Sequence, residues 1–226
     1  MLNQNKHRQI LVRILKDIFS DHELAQALVF KGGTMAYLFY DLPRFSVDLD
    51  FDLLDENIFG LREKIKNILE KYGTIRQDDD KRYSLFFLLS YEIGSHNIKI
   101  DINKRNFGSK YEVKNYLGID MPVMQSEYMV ANKLVAMYER MEEATRDIFD
   151  VHYFLSKHFE FDKQIIKERA GLDYHDFVNI CIDKLQKIKT NKLLNGIGEL
   201  IDEKQKFWVK NKMIEETILL LKLSAM

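Results

Sequence analysis

Residues 30–53 read FKGGTMAYLFYDLPRFSVDLDFDL. An apolar run from Ala27 to Phe30 leads into Lys31-Gly32-Gly33-Thr34, a helix-like stretch follows from Met35 to Tyr40, and the segment closes on Asp48-Leu49-Asp50-Phe51-Asp52. Strand side chains alternate between faces, so the three aspartates share one face while Val47, Leu49, Phe51 and Leu53 fill the other. Asp is a poor strand former, and clustered carboxylates repel one another. A solvated strand face mixes Lys, Thr, Glu and Ser; this row asks instead for cations. Oxygen ligands for magnesium beside a glycine turn that phosphates can approach are the parts of a nucleotide-dependent phosphoryl-transfer site.

A third carboxylate comes from residues 97–103, where Ile98, Ile100 and Ile102 alternate with Lys99, Asp101 and Asn103. If this strand lies beside the first, Asp101 faces Asp48 and Asp50. The three would then be the catalytic and metal-binding set, with Asp101 ligating an ion or taking the proton of an attacking hydroxyl. Gly32 and Gly33 leave the backbone uncovered, and the following helix offers free N–H groups to phosphate. Thr34 caps that helix or bonds a phosphate oxygen. Lys31 either touches phosphate or is solvated.

Composition narrows the function classes. The 226 residues suffice for one large domain or two small ones, and a net charge of −1 excludes a strongly basic nucleic-acid-coating protein. A single cysteine, Cys181, rules out an internal disulfide and reads as core. The six histidines are scattered, which argues against zinc. No apolar run is long enough for a membrane span, so the expected location is the cytoplasm.

The pattern predicts an α+β first half, 1–122, and a helical second half, 123–226. In the first, residues 7–19 and 61–72 have helical spacing, and 24–30, 47–53, 83–93 and 97–103 read as strands. In the second, 125–141 and 145–156 read as helices, the latter capped by Thr145, and 161–226 as bundle helices.

Lys31-Gly32-Gly33-Thr34 followed by Arg44-Phe45-Ser46-Val47-Asp48-Leu49-Asp50-Phe51 resembles the AbiEii/AbiGii-like nucleotidyltransferases, a family that includes type IV toxin–antitoxin and abortive-infection toxins. Its pattern is a Lys-Gly-Gly-Thr turn, a helix, then Arg-x-Ser-x-Asp-Leu-Asp-Phe. Downstream, Ala131-Asn132-Lys133-Leu134-Val135-Ala136, then Arg140, then Arg146-Asp147-Ile148-Phe149-Asp150-Val151 are similar to its Ala-x-Lys-Leu-x-Ala, Arg and Arg-Asp-x-x-Asp blocks. The resemblance covers about residues 24–156.

It implies a polymerase-β-like nucleotidyltransferase core with a small mixed sheet, followed by a C-terminal helical bundle. It implies Asp48 and Asp50 as the metal pair, Asp101 as third carboxylate, and Gly32-Gly33 as the phosphate turn. Ser46 and Arg44 would shape the site, Lys133 would contact the triphosphate, and Asp147, with Arg146, would sit near the nucleotide or position Lys133. The wider superfamily has Gly-Ser at the turn, where Thr34 here supplies the hydroxyl. From their positions alone, Lys133 reads as a snorkelling surface lysine and Asp147 as a helix-start acid.

The expected activity is Mg2+-dependent transfer of a nucleoside monophosphate from a nucleoside triphosphate to an acceptor hydroxyl, at a tRNA 3′ end or on a protein, as a toxin of the kind a cognate antitoxin restrains. The alternatives are a nucleotide-binding module acting through a protein partner, and a small-molecule (antibiotic) nucleotidyltransferase. Lys184, Lys187, Lys189 and Lys192, with Phe207 and Trp208, mark the helical half as the expected acceptor surface.

Overall fold

The computed structural model describes residues 2–55 and 58–226. The chain forms two compact units, Met1–Asn106 with Lys110–Met124, and Phe107–Ser109 with Gln125–Met226.

The first unit opens with helix α1 (Gln4–Ser20), capped by the Asn3 side chain, and buries His7, Leu11, Ile14, Leu15, Ile18 and Phe19 along one stripe. A second helix, α2 (His22–Ala27), occupies ground expected to be strand. The cause is local: the Asp21 carboxylate accepts from the Glu23 and Leu24 amides and so starts a helical turn. Strand β1 is therefore only Leu28–Lys31. Helix α3 (Gly32–Phe39) follows, then β2 (Leu49–Leu53) and α4 (Leu61–Leu69). Strands β3 (Thr74–Asp80), β4 (Ser84–Ser90), β5 (Ile98–Asn103), β6 (Tyr111–Tyr116) and β7 (Ile119–Met124) complete the unit.

Among the described residues, the seven strands form one mixed sheet, ordered β3-β4-β5-β2-β1-β7-β6. The parallel pairs are β2 with β5 and β1 with β7. The sheet is larger than the sequence suggests, because β3 and β6 lack clean alternation and β7 contains Pro122. β3 even ends in Asp78-Asp79-Asp80, and pairing with β4 overrides that poor propensity.

One face of the sheet is core. Leu28, Phe30, Leu49, Phe51, Leu85, Phe87, Leu89, Ile98, Ile100, Ile102 and Val123 are all buried. The Phe51 ring meets Phe19 of α1 at 6.1 Å and Phe30 at 5.6 Å. Each such side chain contributes roughly 1.5–3 kcal/mol by leaving water.

The second unit is helical: α5 (Ser126–Arg140), α6 (Thr145–Ser156), α7 (Lys163–Ala170), α8 (Tyr174–Leu185), α9 (Glu203–Asn211) and α10 (Met213–Ser224). Leu134, Val135, Ile148, Val151, Phe154, Phe177, Cys181 and Leu221 supply its core. Thr145 does not cap α6. The residue before the helix is Ala144, and the Thr145 hydroxyl donates to the Asn195 carbonyl at 2.9 Å. No helix among the described residues is long and apolar enough to cross a membrane.

Candidate active site

The polar face of the sheet is organised by strand register. Lys31 of β1 pairs with Asp50 of β2, Asp50 with Asp101 of β5, Asp101 with Phe86 of β4, and Phe86 with Asp79 of β3. One cross-strand row thus places the Asp50 and Asp101 carboxylates side by side. The next row holds Asp52 and Asn103, which are also partners. Asp48 lies one residue before β2, and its Oδ1 accepts from the Lys99 amide at 3.4 Å.

β2 begins at Leu49 rather than Val47 because the carbonyls ahead of it are taken by side chains. The Thr34 hydroxyl donates to the Asp48 carbonyl. His7 Nε2 lies 2.9 Å from the Val47 carbonyl, and Nδ1 lies 2.9 Å from the Tyr91 hydroxyl. A carbonyl only accepts, so Nε2 carries the hydrogen and Nδ1 accepts from Tyr91. Burial lowers the proton affinity of His7, which keeps this neutral tautomer.

The glycine turn is built around the carboxylates. Gly32 has φ +81°, and a methyl group there would lie 2.7 Å from Asp50 Cγ and closer still to Oδ2. At Gly33 a methyl would lie 2.8 Å from Ser46 Oγ and 3.0 Å from Arg44 Nη2. Thr34 and Ser46 are both buried, with their hydroxyls 3.0 Å apart. Lys31 precedes α3 without a side-chain cap, and Gly32 in the first turn of α3 packs against Asp50. Arg44 is buried and donates to the Phe45 carbonyl.

Asp52, the third aspartate of the row, is tied into a network. Its Oδ1 accepts from Lys31 Nζ at 2.5 Å and Asn103 Nδ2 at 2.7 Å, and the Tyr111 hydroxyl stands 3.5 Å from Oδ2. Lys31 is thus partly exposed and held by Asp52. The roles of Asn103 and Tyr111 have no signal in the sequence, since register alone brings them there.

Asp101 is different. Its Oδ1 is buried and has no hydrogen-bond partner. Burial, then the Asp50 charge, raises its pKa, against the pull of Lys31, Lys81 and Arg105. No group of three His, Cys, Asp or Glu side chains among the described residues is arranged to hold a metal ion, so Asp48, Asp50 and Asp101 do not form a ready-made cage. Magnesium does not require one: it keeps several waters and takes one or two carboxylates plus substrate phosphates. The adjacent Asp50 and Asp101 carboxylates, one with an unsatisfied acceptor oxygen, fit that demand.

In the helical unit, Lys133 is not a surface lysine. It is buried on α5 and pairs with Asp150 of α6 at 2.7 Å, the carboxylate being 0% exposed. Asp147, also fully buried, is bound by Arg140 through Nε at 2.7 Å and Nη2 at 3.3 Å. Asp147 and Asp150, three apart, share a helix face, and Asp150 ends the Arg-Asp-x-x-Asp block; that spacing was the available signal for it. Cys181 is buried and its thiol is pushed up to about 12 by burial, as befits core. Lys184 folds onto Tyr138, donating to its carbonyl at 3.0 Å, while Lys187, Lys189 and Lys192 line a hollow of about 310 Å3 with Glu142, Thr145 and Ile188.

With this geometry in place, comparison identifies the family. The model of the family "Nucleotidyl transferase AbiEii toxin, Type IV TA system" matches residues 13–210. The chain belongs to the AbiEii family. The match runs through both units and includes Asp48, Asp50, Asp101, the Lys31–Thr34 turn, Lys133 and Asp147. Among solved structures, JHP933 from Helicobacter pylori is similar with a TM-score of 0.62 and 21% identity, covering 100% of this chain and 94% of that one. A second H. pylori structure is similar at 0.62 and 20%, covering 100% and 96%. At these identities the likeness shows a shared fold across the AbiEii chain. No curated protein sequence matches it.

Proposed function

We propose that this AbiEii-family protein transfers a nucleoside monophosphate from a nucleoside triphosphate to an acceptor hydroxyl. One observation carries the reading: Asp50 and Asp101 stand in register on adjacent strands, beside a glycine whose missing side chain leaves room for Asp50. The first-turn amides of α3, from Gly32, Gly33 and Thr34, bind phosphate oxygens. Ser46, Thr34 and Arg44 hold the turn against β2. Asp48, Asp50 and Asp101 would hold magnesium, which supplies charge neutralisation for the triphosphate.

Asp101 accepts the proton of the acceptor hydroxyl. The hydroxyl oxygen forms a bond to the α-phosphorus, the bond from that phosphorus to the bridging oxygen breaks, and pyrophosphate leaves with the electron pair. A carboxylate with raised proton affinity suits this task better than an ordinary aspartate. Lys31 adds positive charge at the phosphate turn while Asp52 fixes its position. Lys133 and Asp147 are further candidates for nucleotide contact, each already paired within the helical unit, with Asp150 and Arg140 respectively. The biological setting we propose is a cytoplasmic toxin restrained by a cognate antitoxin, as the family description suggests.

The test is incubation of the full chain with each labelled nucleoside triphosphate, magnesium and total cellular RNA and protein. Label appearing on one macromolecule, and absent with Asp50→Ala, supports the reading. No label with any nucleotide, from protein that melts cooperatively, rejects it.

A further inference from the structure

The face that carries the carboxylates continues past them. Phe86 of β4 is the register partner of Asp101, and Leu88 is the partner of Lys99. Both Phe86 and Leu88 are half-buried, whereas Leu85, Phe87 and Leu89 are buried in the core on the opposite face. Directly opposed residues on antiparallel strands hold their Cβ atoms roughly 4.5–5.5 Å apart, so Phe86 flanks the Asp101 carboxylate. Positive charge borders this floor. Lys81 follows β3 and lies 3.6 Å from Asp79, the register partner of Phe86. Arg105 follows β5, with its guanidinium 5.5 Å from the Tyr83 ring centroid. Lys81 and Arg105 are both exposed, and both act on the Asp101 charge. Lys99 is exposed beside Leu88.

An aromatic ring at sheet level offers a π-face to a base, and lysine and arginine around it offer charge to phosphates. A neutral peptide carrying a hydroxyl side chain would use neither the flat ring nor the surrounding cations. We propose that Phe86 and Leu88 are the floor of an acceptor subsite that stacks the terminal base of a single-stranded RNA. Lys81 and Arg105 hold its phosphates, and its terminal ribose hydroxyl is presented to Asp101. This rests on the proposed transferase reading and on the register that sets Phe86 against Asp101.

The experiment measures binding of a short 5′-labelled single-stranded RNA to the full chain by fluorescence anisotropy at two salt concentrations, without nucleotide. Alongside it, calorimetry gives the affinity for nucleoside triphosphate. Phe86→Leu, which keeps an apolar side chain, is expected to weaken RNA binding about tenfold or more, and Phe86→Tyr to restore it. The double variant Lys81→Gln/Arg105→Gln is expected to weaken binding and flatten its salt dependence. Nucleoside triphosphate affinity stays at the wild-type level in each. Wild-type RNA affinity in Phe86→Leu overturns the subsite, as does failure of the wild type to bind RNA. Transfer of label to protein by a chain that binds no RNA removes the subsite but leaves the transferase reading standing. Phe86-dependent RNA binding without transfer supports the subsite and rejects the transferase reading.

Discussion

Gly32→Ala tests the site where its geometry is tightest. A methyl group at residue 32 would lie 2.7 Å from Asp50 Cγ. Ordinary carbon contacts sit near 3.5–4.0 Å, so the carboxylate must retreat by about 1 Å. The backbone adds its own penalty, because φ +81° is left-handed and costs an L-residue roughly 1–2 kcal/mol. A control separates the two effects. Gly118 in the β6–β7 turn also has φ +81°, with nothing within 4 Å of a methyl there. Gly118→Ala should lose the same roughly 1–2 kcal/mol in denaturant unfolding and keep its activity. Gly32→Ala should lose at least as much stability and, from a carboxylate displaced by about 1 Å, on the order of 100-fold in transfer rate. The assays are urea unfolding and label transfer under saturating nucleotide. Wild-type transfer by Gly32→Ala, or an equal activity loss in both variants, would refute the placement of Asp50 in the reaction.

Asp101→Asn should abolish transfer and raise the melting temperature in metal-free buffer at pH 7. The folded pKa of Asp101 is raised, so its contribution to stability is full below the ordinary carboxylate range and is lost as pH climbs through the raised value; an unchanged or lower melting point contradicts this. Lys133→Ala should destabilise by about 3 kcal/mol, because it strips a cation from the buried Asp150 carboxylate. A surface lysine would move less than about 0.5 kcal/mol, and urea unfolding distinguishes the two. His7 has a lowered pKa, so its stabilisation is present above pH about 6.5 and is lost as pH falls below that. His152, also lowered, titrates in the same range, so the informative quantity is the difference between wild type and His7→Gln melting curves across pH 5–8. A difference that does not vary with pH would remove His7 as the group responsible.

The sequence alone determined the parts whose chemistry is local. Aspartates at every second position had to share a strand face, a Gly-Gly turn had to leave its backbone bare, and isoleucines alternating with Asp101 had to turn that carboxylate away from the core. The family blocks, from Lys31 to Phe51 and from Ala131 to Val151, were legible for the same reason: they are short runs of residues with fixed spacing. The aromatic, apolar run at 83–93 and the alternation at 97–103 likewise announced two strands, which fold as Ser84–Ser90 and Ile98–Asn103. Tertiary structure alone decided which residues meet. Strand order put β5 beside β2, and its parallel register set Asp101 against Asp50 and Asn103 against Asp52. A shift of one residue would have sent every one of these side chains to the other face, and no local pattern specifies register between segments about fifty residues apart. The same holds for charge partners. Lys31 found Asp52 and Lys133 found Asp150, because burial leaves an ion no alternative to the nearest opposite charge, and which charge is nearest is settled only when the elements pack.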